Sequence, residues 1–190
     1  MKHTLELDDE EYAYEGWAFL HFHTSMPGYA LADSLNRLYD YHLTRQEDMA
    51  LDDTGWPLFR YEDSLGKMLF FLVEVPASAT TAPWDAGDKI FLLKGENAEW
   101  TAQHIFADFT SSSPVDEADL LAREHAELLD DLLAGFTVVN ILDFSTAPTS
   151  RKATKDRQMV QQHCDIMLAF IEQKHLDLSR EELMRLRISK

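Results

Sequence analysis

Two histidines near the start of the chain have a spacing that suits metal binding. His21 and His23 lie two residues apart in the aromatic-rich segment Trp17–His23, whose composition predicts a β-strand. Because side chains alternate between the two faces of a strand, both imidazoles should project from the same face. They can chelate Zn²⁺ or another transition-metal ion if a third ligand converges on them. Local spacing marks no third ligand, so a pair of edge or partly buried histidines is the alternative interpretation.

The other nucleophilic and metal-ligating residues form no motif of known chemistry. His163 and Cys164 are adjacent in a predicted helix, where neighbouring side chains diverge by about 100°, so they are poorly placed as base and nucleophile. His125 lacks the second histidine, four residues on, of a zinc-protease helix. The chain also lacks a glycine-rich phosphate loop and a serine nucleophile elbow. The sequence therefore predicts no catalytic residue and no cofactor, and it leaves open whether the protein is an enzyme.

The charge of the chain is unevenly distributed. Its formal net charge is -17, yet residues 151–190 hold nine of the 17 basic and six of the 34 acidic residues, which gives them +3 and leaves -20 for residues 1–150. Nucleic acids and anionic lipids bind clusters of Lys and Arg, so the charge argues against both as partners. The basic segment, beginning with Arg151, Lys152 and Lys155, is predicted to dock on the acidic part of its own chain or of a partner. A solvated acidic surface is the alternative.

Four tryptophans are spread along the chain, and two of them are candidates for an interaction surface. Trp56 falls at the edge of a predicted strand and Trp84 in a predicted loop. Tryptophan is enriched among the residues that dominate protein–protein binding energy. Exposure of Trp84 would favour a binding surface, whereas ordinary core packing is the alternative for both.

Two apolar runs in the middle of the chain predict the centre of a sheet. Lys67–Pro76 and Lys89–Gly95 are rich in β-formers, and Met68–Val73 is continuously apolar, which indicates burial on both faces. A turn signal before the first run favours a hairpin with a strand over Trp56–Tyr61. We predict a surface loop over Ala77–Asp88. Further strands are predicted over Thr4–Leu7 and Phe136–Phe144.

Several segments have apolar residues recurring every three or four positions, as amphipathic helices do. In the first, Leu31, Leu35 and Leu38 fall on one face. The predicted helices are Tyr29–Tyr41, Ala98–Phe109, residues 114–134, Thr154–Lys174 and a short helix that begins near Ser179.

These elements predict an α+β fold with an antiparallel or mixed sheet of about five strands, covered by helices mostly on one side. We predict an α+β domain over residues 1–150 and a C-terminal helical extension over residues 151–190 that packs on it. The polar segment Ser145–Ser150 is the candidate linker between them.

The composition also predicts a cellular compartment. No apolar run approaches the roughly 20 residues that a membrane-spanning helix needs, and the first residues lack the apolar core of a secretory signal. The single cysteine, Cys164, excludes an internal disulfide and suits a reducing environment. We therefore predict a cytoplasmic protein.

The segment Pro83–Gly95 resembles the signature of a small family, the IPExxxVDY proteins. Pro83 matches the signature, and Phe91–Gly95 matches the apolar strand and Lys-Gly ending that follow it. The residues on either side of Pro83 differ from the Ile and Glu of the signature, and Asp88–Ile90 replaces its Val-Asp-Tyr. The resemblance implies that residues 1–150 share the family's fold. Because the family is uncharacterised, it implies no catalytic residue.

Two functional hypotheses follow from the sequence. The first is a non-enzymatic cytoplasmic protein that binds another protein, or itself as a homo-oligomer, through aromatic and charged surface residues. The second is a small-ligand or metal-binding domain, or an enzyme, with a pocket at the edge of the sheet and with His21 and His23 as candidate ligands.

Overall fold

The computed structural model describes residues 14–51, 53–79, 82–110, 127, 129, 136–144 and 148–176. The described strands are β1 (Trp17–Thr24), β2 (Thr44–Arg45), β3 (Met49–Leu51), β4 (Thr54–Trp56), β5 (Leu58–Asp63), β6 (Met68–Glu74), β7 (Lys89–Lys94) and β8 (Phe136–Ile141). The helices with described bounds are α1 (Gly28–Tyr39), α2 (Ala98–Thr110) and α3 (Arg151–Ile171), and a π-helical turn (Glu172–Leu176) follows α3.

Six strands form one antiparallel sheet in the order β2-β5-β6-β7-β1-β8, and β3 and β4 pair as a separate hairpin. The apolar runs of β6 and β7 occupy the centre of the sheet, where Leu72 pairs with Phe91 and Phe71 with Leu92. All four side chains are buried, as a strand covered on both faces requires. The α+β fold is thus confirmed, with six strands in the main sheet where about five were predicted.

The first face of the sheet is covered by α1 and α2. From β1 this face receives Ala18, Leu20 and Phe22, in the alternation predicted for a strand. Leu31 and Leu35 of α1 are fully buried against it, which confirms the predicted apolar face of that helix. α2 contributes four residues at helical spacing, Ala98, Ala102, Ile105 and Phe109.

The second face is covered by α3 together with the β3–β4 hairpin. Trp17 and Phe19 of β1 lie on this face, in one cluster with Met167 and Ile171 of α3 and with Trp56 of β4. Of the three helices with described bounds, two therefore cover the first face and one covers the second, which agrees with the expectation that helices lie mostly on one side. Helical periodicity shows that a helix has an apolar face, but it does not show which face of a sheet that helix covers.

α3 is part of the core because it buries Cys164, Met167, Leu168 and Ile171. It begins three residues earlier than predicted, since the Ser150 side chain caps it by accepting a hydrogen bond from the Ala153 amide at 3.2 Å. The division into a 1–150 domain and a 151–190 extension stays a prediction.

Two predicted elements fall outside the described residues, a third falls there in large part, and three observed strands were not predicted. Thr4–Leu7 and the helix after Ser179 lie where the structure is not described, and of the predicted helix over residues 114–134 only residues 127 and 129 are described, both of them helical. The unpredicted strands β2, β3 and β4 are two or three residues long, too short to show a periodic pattern. None of the described helices is long and apolar enough to cross a membrane.

Candidate metal centre

The antiparallel pairing of β1 with β7 brings a carboxylate to the two predicted histidines. Phe22 pairs with Lys89, so the same register places His23 opposite Asp88, the residue just before β7. His21 lies two residues before His23 and therefore on the same face. The ligand that local spacing could not mark is thus 65 residues away in the sequence.

A tight turn over residues 85–88 aims the Asp88 side chain at the histidines. The Asp88 amide donates a hydrogen bond to the Asp85 carbonyl at 3.0 Å, and the Gly87 amide donates to Val75 at 2.8 Å. Gly87 has φ +90°, a conformation that glycine adopts without the steric cost other residues meet. The sequence Asp-Ala-Gly-Asp therefore ends the loop and holds the Asp88 carboxylate in place immediately before β7.

The three side chains converge within hydrogen-bonding distance. His21 Nε2 donates to Asp88 Oδ2 at 2.8 Å, and His23 Nδ1 donates to the other oxygen, Oδ1, at 2.7 Å. One ligand atom from each of His21, His23 and Asp88 lies within 4.8 Å of the other two. This is the arrangement of nitrogen and oxygen donors from which three-ligand metal sites are built.

Solvent exposure of the side chains increases from Asp88 through His21 to His23. The Asp88 side chain is 4% exposed, that of His21 is 16% exposed and that of His23 is 39% exposed. The Asp88 carboxylate also accepts a hydrogen bond from the Asp85 amide at 3.1 Å, which fixes Oδ2 further. The ring of Trp84 lies beside His21, with the ring centroids 6.4 Å apart. The cluster is therefore closed at Asp88 and opens to solvent on the His23 side.

On the opposite face of the sheet, the next residue along is a buried lysine. Lys89 is 1% exposed, and its ammonium group donates to the carbonyl oxygens of Met26 and Gly87 and lies 3.8 Å from Glu74 Oε1. Burial lowers the pKa of Lys89, and the nearby carboxylates of Glu74 and Asp88 act against that shift. Since Met26 follows β1 and Gly87 precedes Asp88, Lys89 fastens together the two segments that carry the metal-ligating side chains.

No protein-family model, curated protein or solved structure matches this chain. The resemblance of Pro83–Gly95 to the IPExxxVDY signature therefore stays a prediction. The function must be argued from the side chains themselves.

The structure brings together only part of the predicted site. His21 and His23 share a face, as predicted, and Asp88 joins them. Trp56 and Trp84 are buried in the second-face core, which is the alternative of core packing that the sequence left open for both. Trp84 lies in a loop, as predicted, but it packs against His21 and against His163 of α3, 5.9 Å away between ring centroids. The basic residues Arg151, Lys152 and Lys155 are exposed on the first turns of α3.

A cleft of about 400 Å³ lies at the β8 edge of the sheet, between residues 141–144 and the first turns of α3. The ligand pocket predicted at the sheet edge stays a prediction. The residues that line the cleft do not include His21, His23 or Asp88, and among the described residues it gathers no group of metal-ligating side chains. The candidate centre is therefore the surface cluster at the end of β1, and not this cleft.

Proposed function

We propose that the protein binds one divalent transition-metal ion through His21 Nε2, His23 Nδ1 and a carboxylate oxygen of Asp88. The observation that carries the proposal is the convergence of these three ligand atoms within 4.8 Å of one another. Two imidazoles and one carboxylate are the protein ligands of several zinc and non-haem iron sites.

The ligand set favours some metals over others. Imidazole nitrogen suits Zn²⁺, Fe²⁺, Co²⁺, Ni²⁺ and Cu²⁺, whereas Ca²⁺ and Mg²⁺ prefer shells made entirely of oxygen. The site therefore selects a transition metal.

Binding requires a small rearrangement of the cluster. In a tetrahedral site with metal–ligand bonds of about 2.0–2.1 Å, neighbouring ligand atoms are about 3.3 Å apart. The two histidines contact different oxygens of Asp88, at 2.8 and 2.7 Å, so the contact to the oxygen that binds the ion would lengthen by roughly half an ångström. Each imidazole would also turn a lone pair toward the metal, so its proton moves to the other ring nitrogen. Side-chain rotation provides the longer contact, and each ring exchanges its proton with solvent water, losing it from the ligating nitrogen and gaining one on the other.

Metal analysis of protein purified without a histidine tag tests the proposal. We expect about one equivalent of Zn²⁺ per chain after incubation with the metal and removal of the excess. The double variant H21Q/H23Q should retain none. His104→Gln, which removes an exposed histidine on α2, should bind like the wild type. Wild-type protein without saturable metal binding, or H21Q/H23Q with undiminished binding, would contradict the proposal.

Protein interaction is a second candidate, supported by the predicted basic residues of α3 and by one tryptophan that the sequence did not mark. Arg151, Lys152 and Lys155 are exposed at the start of α3, and Trp100 of α2 is 66% exposed and stacked on His104. Self-association through the basic residues predicts that the triple variant R151E/K152E/K155E lowers the molar mass measured by light scattering. An unchanged mass would remove this form of the hypothesis. Charge reversal is a sharper test than deleting residues 151–190, because the deletion also removes core residues of α3.

A further inference from the structure

A second carboxylate stands at the open side of the metal-ligating cluster. Asp85 Oδ2 lies 3.9 Å from His23 Nδ1, and the Asp85 side chain is 84% exposed. Building on the proposed function, we infer that Asp85 is a fourth ligand, which closes the coordination sphere of the bound ion into a tetrahedral site of two nitrogens and two oxygens.

The geometry around His23 supports this assignment. Its Nδ1 atom has a carboxylate oxygen of Asp88 at 2.7 Å and one of Asp85 at 3.9 Å. These distances bracket the spacing of about 3.3 Å between ligand atoms of a tetrahedral zinc site. A metal ion beside His23 Nδ1 is thus within reach of both carboxylates after side-chain rotation.

The backbone of Asp85 is already fastened to the cluster. Its amide donates to Asp88 Oδ2 at 3.1 Å, and its carbonyl accepts from the Asp88 amide at 3.0 Å. Among the described residues, no lysine or arginine pairs with the carboxylate of Asp85, whose nearest histidine nitrogen is His23 Nδ1 at 3.9 Å. The side chain is therefore held near the centre while its carboxylate remains available to a metal ion.

The charge of the centre gives an independent reason for a fourth ligand. With neutral imidazoles, His21, His23 and Asp88 supply one negative charge to a dication, which leaves a net positive charge in a partly buried site. Uncompensated buried charge is costly. Asp85 brings the total to zero, whereas Glu74 lies beside Lys89 on the other face of the sheet.

A four-ligand sphere has a functional consequence. Catalytic zinc sites keep one position open for water or substrate, whereas structural sites are closed by four protein ligands. Ligation by Asp85 makes the centre a metal-retaining site that selects tetrahedral Zn²⁺, with the ion joining the 85–88 turn to β1. Without the ion, the His21–Asp88 and His23–Asp88 hydrogen bonds hold the turn to the strand.

Competition titration of tag-free protein with Zn²⁺ and a chromogenic chelator tests the inference. Asp85→Asn should weaken Zn²⁺ binding by more than the roughly 10- to 100-fold that loss of an outer-shell partner of a ligand typically costs. Glu96→Gln is the matched control, since it removes an exposed carboxylate beyond the far end of β7, on the order of 20 Å from Asp88. Screening at physiological salt should keep its effect within about two-fold. The absorption spectrum of the Co²⁺-loaded wild type should show a tetrahedral ion, and D85N should alter that spectrum.

The outcomes separate this inference from the proposed function. Wild-type protein that binds Zn²⁺, with D85N indistinguishable from E96Q, overturns ligation by Asp85 and leaves the three-ligand centre standing. D85N with weakened Zn²⁺ binding but an unaltered Co²⁺ spectrum also overturns it, because Asp85 then acts through charge alone. Wild-type protein without metal binding overturns both.

Discussion

Asp88 and Lys89 are adjacent in the chain and both are buried, yet their side chains lie on opposite faces of the sheet and have different kinds of partner. Lys89 is enclosed by backbone carbonyls and by the carboxylate of Glu74, which are acceptors already held by its ammonium group. Asp88 is enclosed by two imidazoles that are partly open to solvent. A buried charge whose partners are fixed acceptors stabilises the fold, whereas a buried charge whose partners are metal ligands can exchange them for an ion.

The largest expected effect on stability is at Lys89. Lys89→Met fills the same space but leaves the carbonyls of Met26 and Gly87 without their donor, which should lower the free energy of unfolding by about 3 kcal/mol. Urea unfolding followed by tryptophan fluorescence measures the loss. Lys94→Met on the same strand removes an ammonium that lies 4.5 Å from the Trp17 ring centroid, and should cost about 1 kcal/mol or less. Equal losses for the two variants would show that the buried hydrogen bonds of Lys89 stabilise the fold no more than the contact between Lys94 and Trp17.

Substitution of Asp88 should cost less stability than substitution of Lys89, but it should abolish metal binding. Asp88→Asn keeps the size of the side chain and part of its hydrogen bonding, so unfolding should become easier by about 1–2 kcal/mol. Zn²⁺ binding, measured by the same titration, should disappear. Lys89→Met, assayed without urea so that the protein is folded, should keep one equivalent of Zn²⁺. If D88N retained wild-type affinity, the metal-site interpretation of Asp88 would be wrong.

Gly87 connects the two faces, because its carbonyl accepts from Lys89 and its turn positions Asp88. Gly87→Ala should lower the free energy of unfolding by about 1–2 kcal/mol because of backbone strain at positive φ. A steric clash adds nothing, because the added methyl meets only Thr24 O at an ordinary 3.9 Å. Gly16→Ala imposes the same kind of strain at the far end of β1, where φ is +73°. Only G87A should also weaken Zn²⁺ binding. A similar change of affinity in G16A would show that the turn has no special role.

The smallest expected effect concerns the pH dependence of stability and separates His175 from the metal centre. Burial lowers the pKa of His175, with smaller contributions from Arg60 and Lys174, so the folded protein favours the neutral ring. The unfolded state binds a proton near pH 6.5, and the stabilisation is therefore complete above that pH and lost as the pH falls below it. His175→Gln should reduce the loss between pH 7 and 5.5 by about 1 kcal/mol or less. An unchanged pH profile of urea unfolding would contradict this.

The centre of the sheet could be predicted from the sequence because its signals are local. The apolar runs of β6 and β7 indicate burial on both faces, and the alternation of β1 sorts its side chains correctly between the two. β2, β3 and β4 could not be predicted, since two or three residues carry no period.

Only the histidines of the candidate centre could be predicted from the sequence. His21 and His23 are marked by their spacing along one strand, whereas Asp88 joins them through a strand pairing across 65 residues or more. A signal was present in Gly87 and Asp88, a turn ending in a carboxylate directly before a buried strand. Its meaning depended on the partner strand, and the order of strands is a property of the folded chain.

The most direct test of the metal centre is the ¹⁵N NMR spectrum of the histidine rings during titration with Zn²⁺. We predict that His21 Nε2 and His23 Nδ1 shift together and reach an endpoint at about one equivalent, while the ring of His104 does not change. Shifts confined to other histidines, or no shift of these two nitrogens at saturating Zn²⁺, would contradict the account.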